Sequence, residues 1–124
     1  EKMTVPAIHL AAENGTTALH TITKGLRKIP QVRKVVIFGS RVRGDFHGSS
    51  DLDVMIIIDQ MDIEVKDKVI HILHEAELEY DVPLSPVLYT AHEYEMNKKL
   101  GSPFFERVEK EGIVLYDFER TRKN

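Results

Sequence analysis

Between Gly39 and Asp53 the chain gathers residues suited to phosphate and to a hard cation: Gly39-Ser40-Arg41-Val42-Arg43-Gly44, a polar loop from Asp45 to Ser50, then Asp51-Leu52-Asp53 running into an apolar stretch. Side chains of an extended segment alternate between faces, so Asp51 and Asp53 project to one side and reach one ion together. Carboxylates about 6 to 7 Å apart along a strand make half of a magnesium site, which phosphate oxygens and water complete. Gly39 permits close approach of backbone to a ligand, and the amides and hydroxyl around Ser40 can donate to phosphate oxygens. Arg41 and Arg43 add local positive charge. Each piece also has a plainer reading. An isolated Asp-x-Asp before a strand is usually a turn or a solvated edge, and Arg41 can pair with one of the aspartates for stability alone. The fixed order of strand, Gly-Ser, two arginines, glycine, loop, Ser-Asp-x-Asp and strand favours the chemical reading.

Such residues need a frame, and the flanking sequence supplies one. Val35-Val36-Ile37-Phe38 and Val54-Met55-Ile56-Ile57-Ile58 are β-branched, apolar runs that read as strands at the centre of a sheet. From Thr17, the residues Leu19, Ile22, Leu26 and Ile29 recur at helical spacing, with Thr16 or Thr17 as N-cap and Pro30 as the stop. Asn14-Gly15 reads as a turn ahead of that helix. A second helix over Ile63 to Tyr80, carried by Val65, Val69, Ile72, Leu73 and Ala76, covers one sheet face. Leu84 to Tyr89 is a third strand, and Pro86 within it favours an edge because proline cannot donate to a ladder. Thr90-Ala91-His92-Glu93 forms a capping box opening another helix. Ser102-Pro103 opens one more, Gly112 ends it, and Ile113 to Tyr116 is a last strand. The class is α+β, a small mixed sheet with helices on one face. Residues 1–16 read as an arm or short helix, 17–117 as the domain, and 118–124 as a charged tail.

At 124 residues the chain suits a single core. Its formal charge of −3 gives no overall attraction for a polyanion, so phosphate binding must be local. That balance, with no basic, aromatic-rich face, disfavours nucleic acid as a partner. The absence of cysteine excludes disulfides, thiolate metal sites and thiol nucleophiles. No apolar run approaches the roughly 20 residues of a membrane span, and no signal-peptide pattern opens the chain, so a cytoplasmic protein is the expectation. His71 and His74 lack the His-Glu-x-x-His pattern of zinc proteases and read as helix-surface residues. His47 lies in the loop between the phosphate residues and the aspartates, and reads as surface. Phe104 and Phe105 read as core or interface anchors, and Glu75, Glu77 and Glu79 as a solvated face.

The run GSRVRGDFHGSSDLDV resembles the signature of the DNA polymerase β-like nucleotidyltransferase superfamily, in particular its small "minimal nucleotidyltransferase" members, with Gly-Ser-x-Ala-Arg-Gly followed by Ser-Asp-x-Asp. The resemblance implies a nucleotidyltransferase fold. It also implies that Gly39 and Ser40 bind a nucleoside triphosphate with Arg43 assisting, a nucleotide-binding set that Arg41 joins by its charge, and that Asp51 and Asp53 are catalytic and hold magnesium or manganese. The family reaction moves a nucleoside monophosphate onto a hydroxyl, with pyrophosphate leaving. Val42 replaces the family's alanine, a small apolar change. A larger departure concerns the third carboxylate that catalytic members add from the next strand. The aligned position here is Ser85, which cannot act as a base near neutral pH; loss of a general base typically costs about 10² to 10⁴ in rate. Asp81 would substitute only if a bulge or register change brought it round.

Two functions follow. The first is magnesium-dependent nucleotidyl transfer to a hydroxyl of a protein or small molecule. The second is a catalytically weak binding module of antitoxin-like or regulatory type, because small family members are often encoded beside a helical HEPN partner. A chain this short leaves little room for acceptor recognition, so a homodimer or a partner protein is expected to complete the cleft.

Overall fold

Residues 13–39 and 51–119 are described by the computed structural model. β1 (Val32–Phe38) and β2 (Leu52–Ile58) pair antiparallel at the centre of a four-stranded sheet. β3 (Leu84–Thr90) runs parallel to β2 on one side and β4 (Ile113–Asp117) antiparallel to β1 on the other, giving the order β3-β2-β1-β4. A parallel neighbour needs a long crossover, and α2 (Ile63–Tyr80) provides it between β2 and β3. β2 is buried on both faces, which is why it reads as an unbroken apolar run rather than an alternating one.

One face of the sheet carries Val35 and Ile37 of β1 and Leu52, Val54, Ile56 and Ile58 of β2. It packs under α1 (Glu13–Arg27), through Leu19, Ile22 and Leu26, and under α2, through Val65, Val69, Leu73 and Ala76. Asp62 caps α2, its carboxylate accepting from the Glu64 amide at 2.9 Å. The alternate residues Val36, Met55 and Ile57 face the other way and meet Tyr94, Phe105 and Val108. Those belong to two short helices, α3 (Ala91–Lys99) and α4 (Pro103–Glu111). The expected helical layer is thus α1 with α2, in a mixed α+β fold; α3 and α4 add a smaller cover on the opposite face.

The strand and helix order follows the sequence reading. Thr90 and Glu93 form the reciprocal capping box that opens α3, with bonds of 2.9 and 3.1 Å. Pro86 lies on the edge strand β3, exposed. Two boundaries differ. α1 already runs at Glu13, so Asn14-Gly15 is helical rather than a turn, and Thr17 is not the start. Gly15 and Ala18 are buried in that stretch, so packing overrides the local turn propensity. β1 extends back to Val32 through polar Arg33 and Lys34, with a register irregularity between Val32 and Lys34. No described helix is long and apolar enough to cross a membrane.

Candidate active site

β1 ends at Phe38, and Gly39 follows with φ +98°, a conformation open chiefly to glycine. Phe38 is in register with Asp53 on β2, and Asp53 with Ser85 on β3, so the three form one row across the sheet. The backbone of Gly39 and the Asp53 carboxylate are pressed together. A Cβ built on Gly39 would overlap Asp53 Oδ2 and lie 3.1 Å from its Cγ. Glycine is therefore required here twice over, by its φ and by the carboxylate occupying the space.

A cleft of about 290 Å³ opens beside this junction. Phe38, Gly39 and Asp53 form its sheet side, and Phe104, Arg107, Val108 and Glu111 of α4 form the other. The α4 residues are spaced i, i+3, i+4 and i+7, one continuous helical face. Phe104 meets Phe38 edge-on, with ring centroids 5.6 Å apart. Among the described residues the cleft thus combines an aromatic wall, a bare stretch of backbone, two carboxylates and a guanidinium.

The wall is held from behind. The Tyr94 hydroxyl of α3 donates to Glu109 Oε2 at 2.5 Å and accepts from Lys34 Nζ of β1 at 3.1 Å. Lys34 also pairs with Glu109 at 3.7 Å, and Lys98 lies over the Tyr94 ring. The hydrogen bond from Tyr94, with help from Lys34, holds the Glu109 carboxyl below the usual carboxylate range. Burial, followed by the neighbouring Glu109, pushes the Tyr94 phenol well above its ordinary value. Phe105 packs edge-on against Tyr89, centroids 4.9 Å apart. Gly112 closes the turn into β4 so tightly that a Cβ there would lie 2.5 Å from the Val108 carbonyl oxygen and 2.7 Å from Val36 Cγ1. Sheet, α3 and α4 are thereby locked, and the cleft face of α4 with them.

Of the residues singled out in the sequence, Gly39 and Asp53 meet at the cleft. Asp51 stands one residue ahead of β2, exposed, at the mouth of that strand and not among the cleft-lining residues. The Leu52 amide donates to the Pro83 carbonyl at 3.0 Å, tying the start of β2 to the start of β3. Ser40, Arg41, Arg43 and His47 lie outside the described residues. β2 and β3 pair without a register shift from Leu52/Leu84 to Ile58/Thr90, so Ser85 is the neighbour of Asp53. Asp81 is the exposed left-handed C-cap of α2, and no bulge brings it round. Glu77, read as solvated, instead accepts the Leu84 amide at 2.8 Å, and His74 approaches its other oxygen at 3.7 Å. Among the described residues no group of three or more His, Asp and Glu side chains is placed to hold a metal ion. Arg107 and Glu111 escaped the sequence reading; helical spacing puts them on one face with Phe104, but no local pattern ties that face to Gly39.

The model of the polymerase β nucleotidyltransferase family matches residues 20–121. The chain belongs to this family. This minimal nucleotidyltransferase is 35% identical over 83 residues to a Methanocaldococcus jannaschii protein named as a candidate protein adenylyltransferase, covering 66% of this chain and 77% of the relative. A second such protein of the same organism is 35% identical over 86 residues, covering 69% and 80%. Among solved structures, a toxin–antitoxin complex with AMP-PNP shares the fold at a TM-score of 0.57 and 20% identity, covering 85% of this chain and 77% of that one. A MntA–HepT toxin–antitoxin structure matches at 0.52 and 16% identity, covering 87% and 77%.

Proposed function

We propose that this nucleotidyltransferase moves a nucleoside monophosphate from a triphosphate, ATP first among candidates, to a hydroxyl of a protein or small molecule. The observation that carries the reading is the contact of the Asp53 carboxylate with the Gly39 backbone at the mouth of the cleft. Gly39 keeps its backbone against the Asp53 carboxylate, and Ser40, Arg41 and Arg43 follow it directly in sequence as donors to phosphate. Asp51 and Asp53 would hold magnesium, with manganese as the alternative. Two carboxylates suffice, because magnesium is commonly bound through one or two carboxylates with substrate phosphates completing its shell. When bound, the ion would neutralise charge developing on the phosphates. The acceptor hydroxyl oxygen attacks the α-phosphorus, the bond to pyrophosphate breaks, and the hydroxyl proton passes to solvent, since Ser85 is no base. The names of the relatives support adenylyl transfer to protein.

A second reading has its own support. Ser85 is the neighbour of Asp53 where the resemblance implies a third carboxylate, and the fold is shared with structures of toxin–antitoxin complexes. A catalytically weak module that docks on a HEPN-type helical partner, or pairs with a second copy of itself, satisfies both observations. Titration with ATP, GTP, CTP and UTP, with and without magnesium, separates the readings. Magnesium-dependent binding lost in Asp51→Asn/Asp53→Asn, with labelled nucleotide transferred to an acceptor, supports the enzyme. No binding to any triphosphate favours the docking module.

A further inference from the structure

Arg107 projects from α4, on the opposite wall of the cleft from Gly39 and Asp53. It is exposed, and no described carboxylate lies within ion-pair distance of it. Its backbone, by contrast, is fixed. Phe105 and Val108 on either side are buried, and Glu109 two residues on is tied to Tyr94 and Lys34. A long cationic side chain on an immobile helix thus lines a cleft whose other charged lining groups among the described residues, Asp53 and Glu111, are acidic.

The ligand that satisfies this distribution carries both signs. A metal-bound polyphosphate brings its cation to the acidic side and its phosphate oxygens to the arginine, whose planar fork of donors matches them in geometry and charge. We propose that Arg107 is a nucleotide-binding residue, a guanidinium delivered from α4 that grips the polyphosphate of the triphosphate across the cleft from Gly39. The inference rests on the nucleotidyl-transfer reading above, and extends the phosphate-binding set from the Gly39–Arg43 segment to a helix remote in sequence. The aromatic pair Phe38–Phe104 lines the same pocket.

Titration of the full chain with magnesium–ATP, magnesium–tripolyphosphate and adenosine tests this directly. Arg107→Ala is expected to weaken ATP and tripolyphosphate alike by roughly 10- to 100-fold. Adenosine affinity should stay within about twofold, Arg107→Glu should lose more, and the salt dependence of ATP binding should flatten. Glu106→Gln, one residue earlier and outside this cleft, is the control and should bind as the native chain does. Thermal melts of Arg107→Ala should match the native protein, because the side chain is exposed. Unchanged tripolyphosphate affinity in Arg107→Ala overturns the inference and leaves the transferase reading standing. Equal losses for ATP and adenosine also overturn it, assigning Arg107 to the base or to packing. If the native chain binds no triphosphate at all, both readings fall together.

Discussion

The carboxylate of Asp53 occupies the space that a side chain on Gly39 would need. The end of β1 and the start of β2 are thereby interlocked at the point where substrate would meet the protein. Gly39→Ala has two penalties: a methyl group in a backbone conformation with positive φ, and eviction of the Asp53 carboxylate. The expected cost is about 1–3 kcal/mol in urea unfolding, with triphosphate binding lost at temperatures where the variant remains folded. Retention of native affinity would show that the Gly39–Asp53 contact has no part in the site.

Ser85 stands in register beside that aspartate, and the second prediction follows from it. Ser85→Asp places a carboxylate on β3 next to Asp53. If a missing base limits turnover, transfer of labelled nucleotide should rise by about 10²-fold or more. The same change sets like charges on neighbouring strands, so the metal-free protein should lose a few tenths of a kcal/mol to about 1 kcal/mol. A melt with and without magnesium checks the second half, since bound cation should restore the loss. No gain in turnover would place the limiting step elsewhere and strengthen the docking reading.

How far the sequence discloses this site depends on how local each relationship is. Gly39 and Asp53, which meet at the cleft, sit in one short segment where strand alternation and glycine chemistry act within a few residues, so the fixed order of strand, Gly-Ser, loop and Ser-Asp-x-Asp marks them. The edge position of β3 is equally local, because Pro86 announces it. Arg107 and Glu111 are different. They reach the cleft only because α4 docks through Phe105 and Val108 and is pinned by Lys34, Tyr94 and Glu109, residues from three elements whose meeting no local pattern encodes. The start of α1 was hidden for a related reason: Asn14-Gly15 has the chemistry of a turn, and burial of Gly15 and Ala18 against the core overrides it.

The Lys34–Tyr94–Glu109 cluster should make stability depend on pH in two windows. Glu109 is lowered in the folded protein, chiefly by the Tyr94 hydrogen bond, so its contribution is present above the ordinary carboxylate value of 4.5 and fades as pH falls through the lowered one. Tyr94 is raised, chiefly by burial, so its neutral form is favoured; that contribution is complete below the ordinary value of 10.0 and disappears as pH climbs through the raised one. Tyr94→Phe removes the bond and should cost about 1 kcal/mol at neutral pH. The gap to the native chain should narrow below about pH 4 and above about pH 10. Urea midpoints at pH 3, 7 and 10.5 test it, and a gap independent of pH would mean the loss is packing alone.

A last prediction separates stability from function. Thr23 lies in α1 with only 4% of its surface exposed, and its hydroxyl has no hydrogen-bond partner among the described residues. An unpaired buried hydroxyl costs about 1–3 kcal/mol of desolvation that nothing repays. Valine has nearly the same shape, the same branching at Cβ and a similar helix propensity, so Thr23→Val removes the polar atom while leaving the packing in place. We expect a gain of about 1 kcal/mol and a melting temperature a few degrees higher. α1 packs on the sheet face bearing Val35, Ile37 and Val54, whereas the cleft opens on the side of Phe38, Phe104 and Val108, so nucleotide affinity should be unchanged. A stabilised variant with altered affinity would mean that the two faces of the sheet are coupled, and that α1 helps to set the distance between β1 and α4.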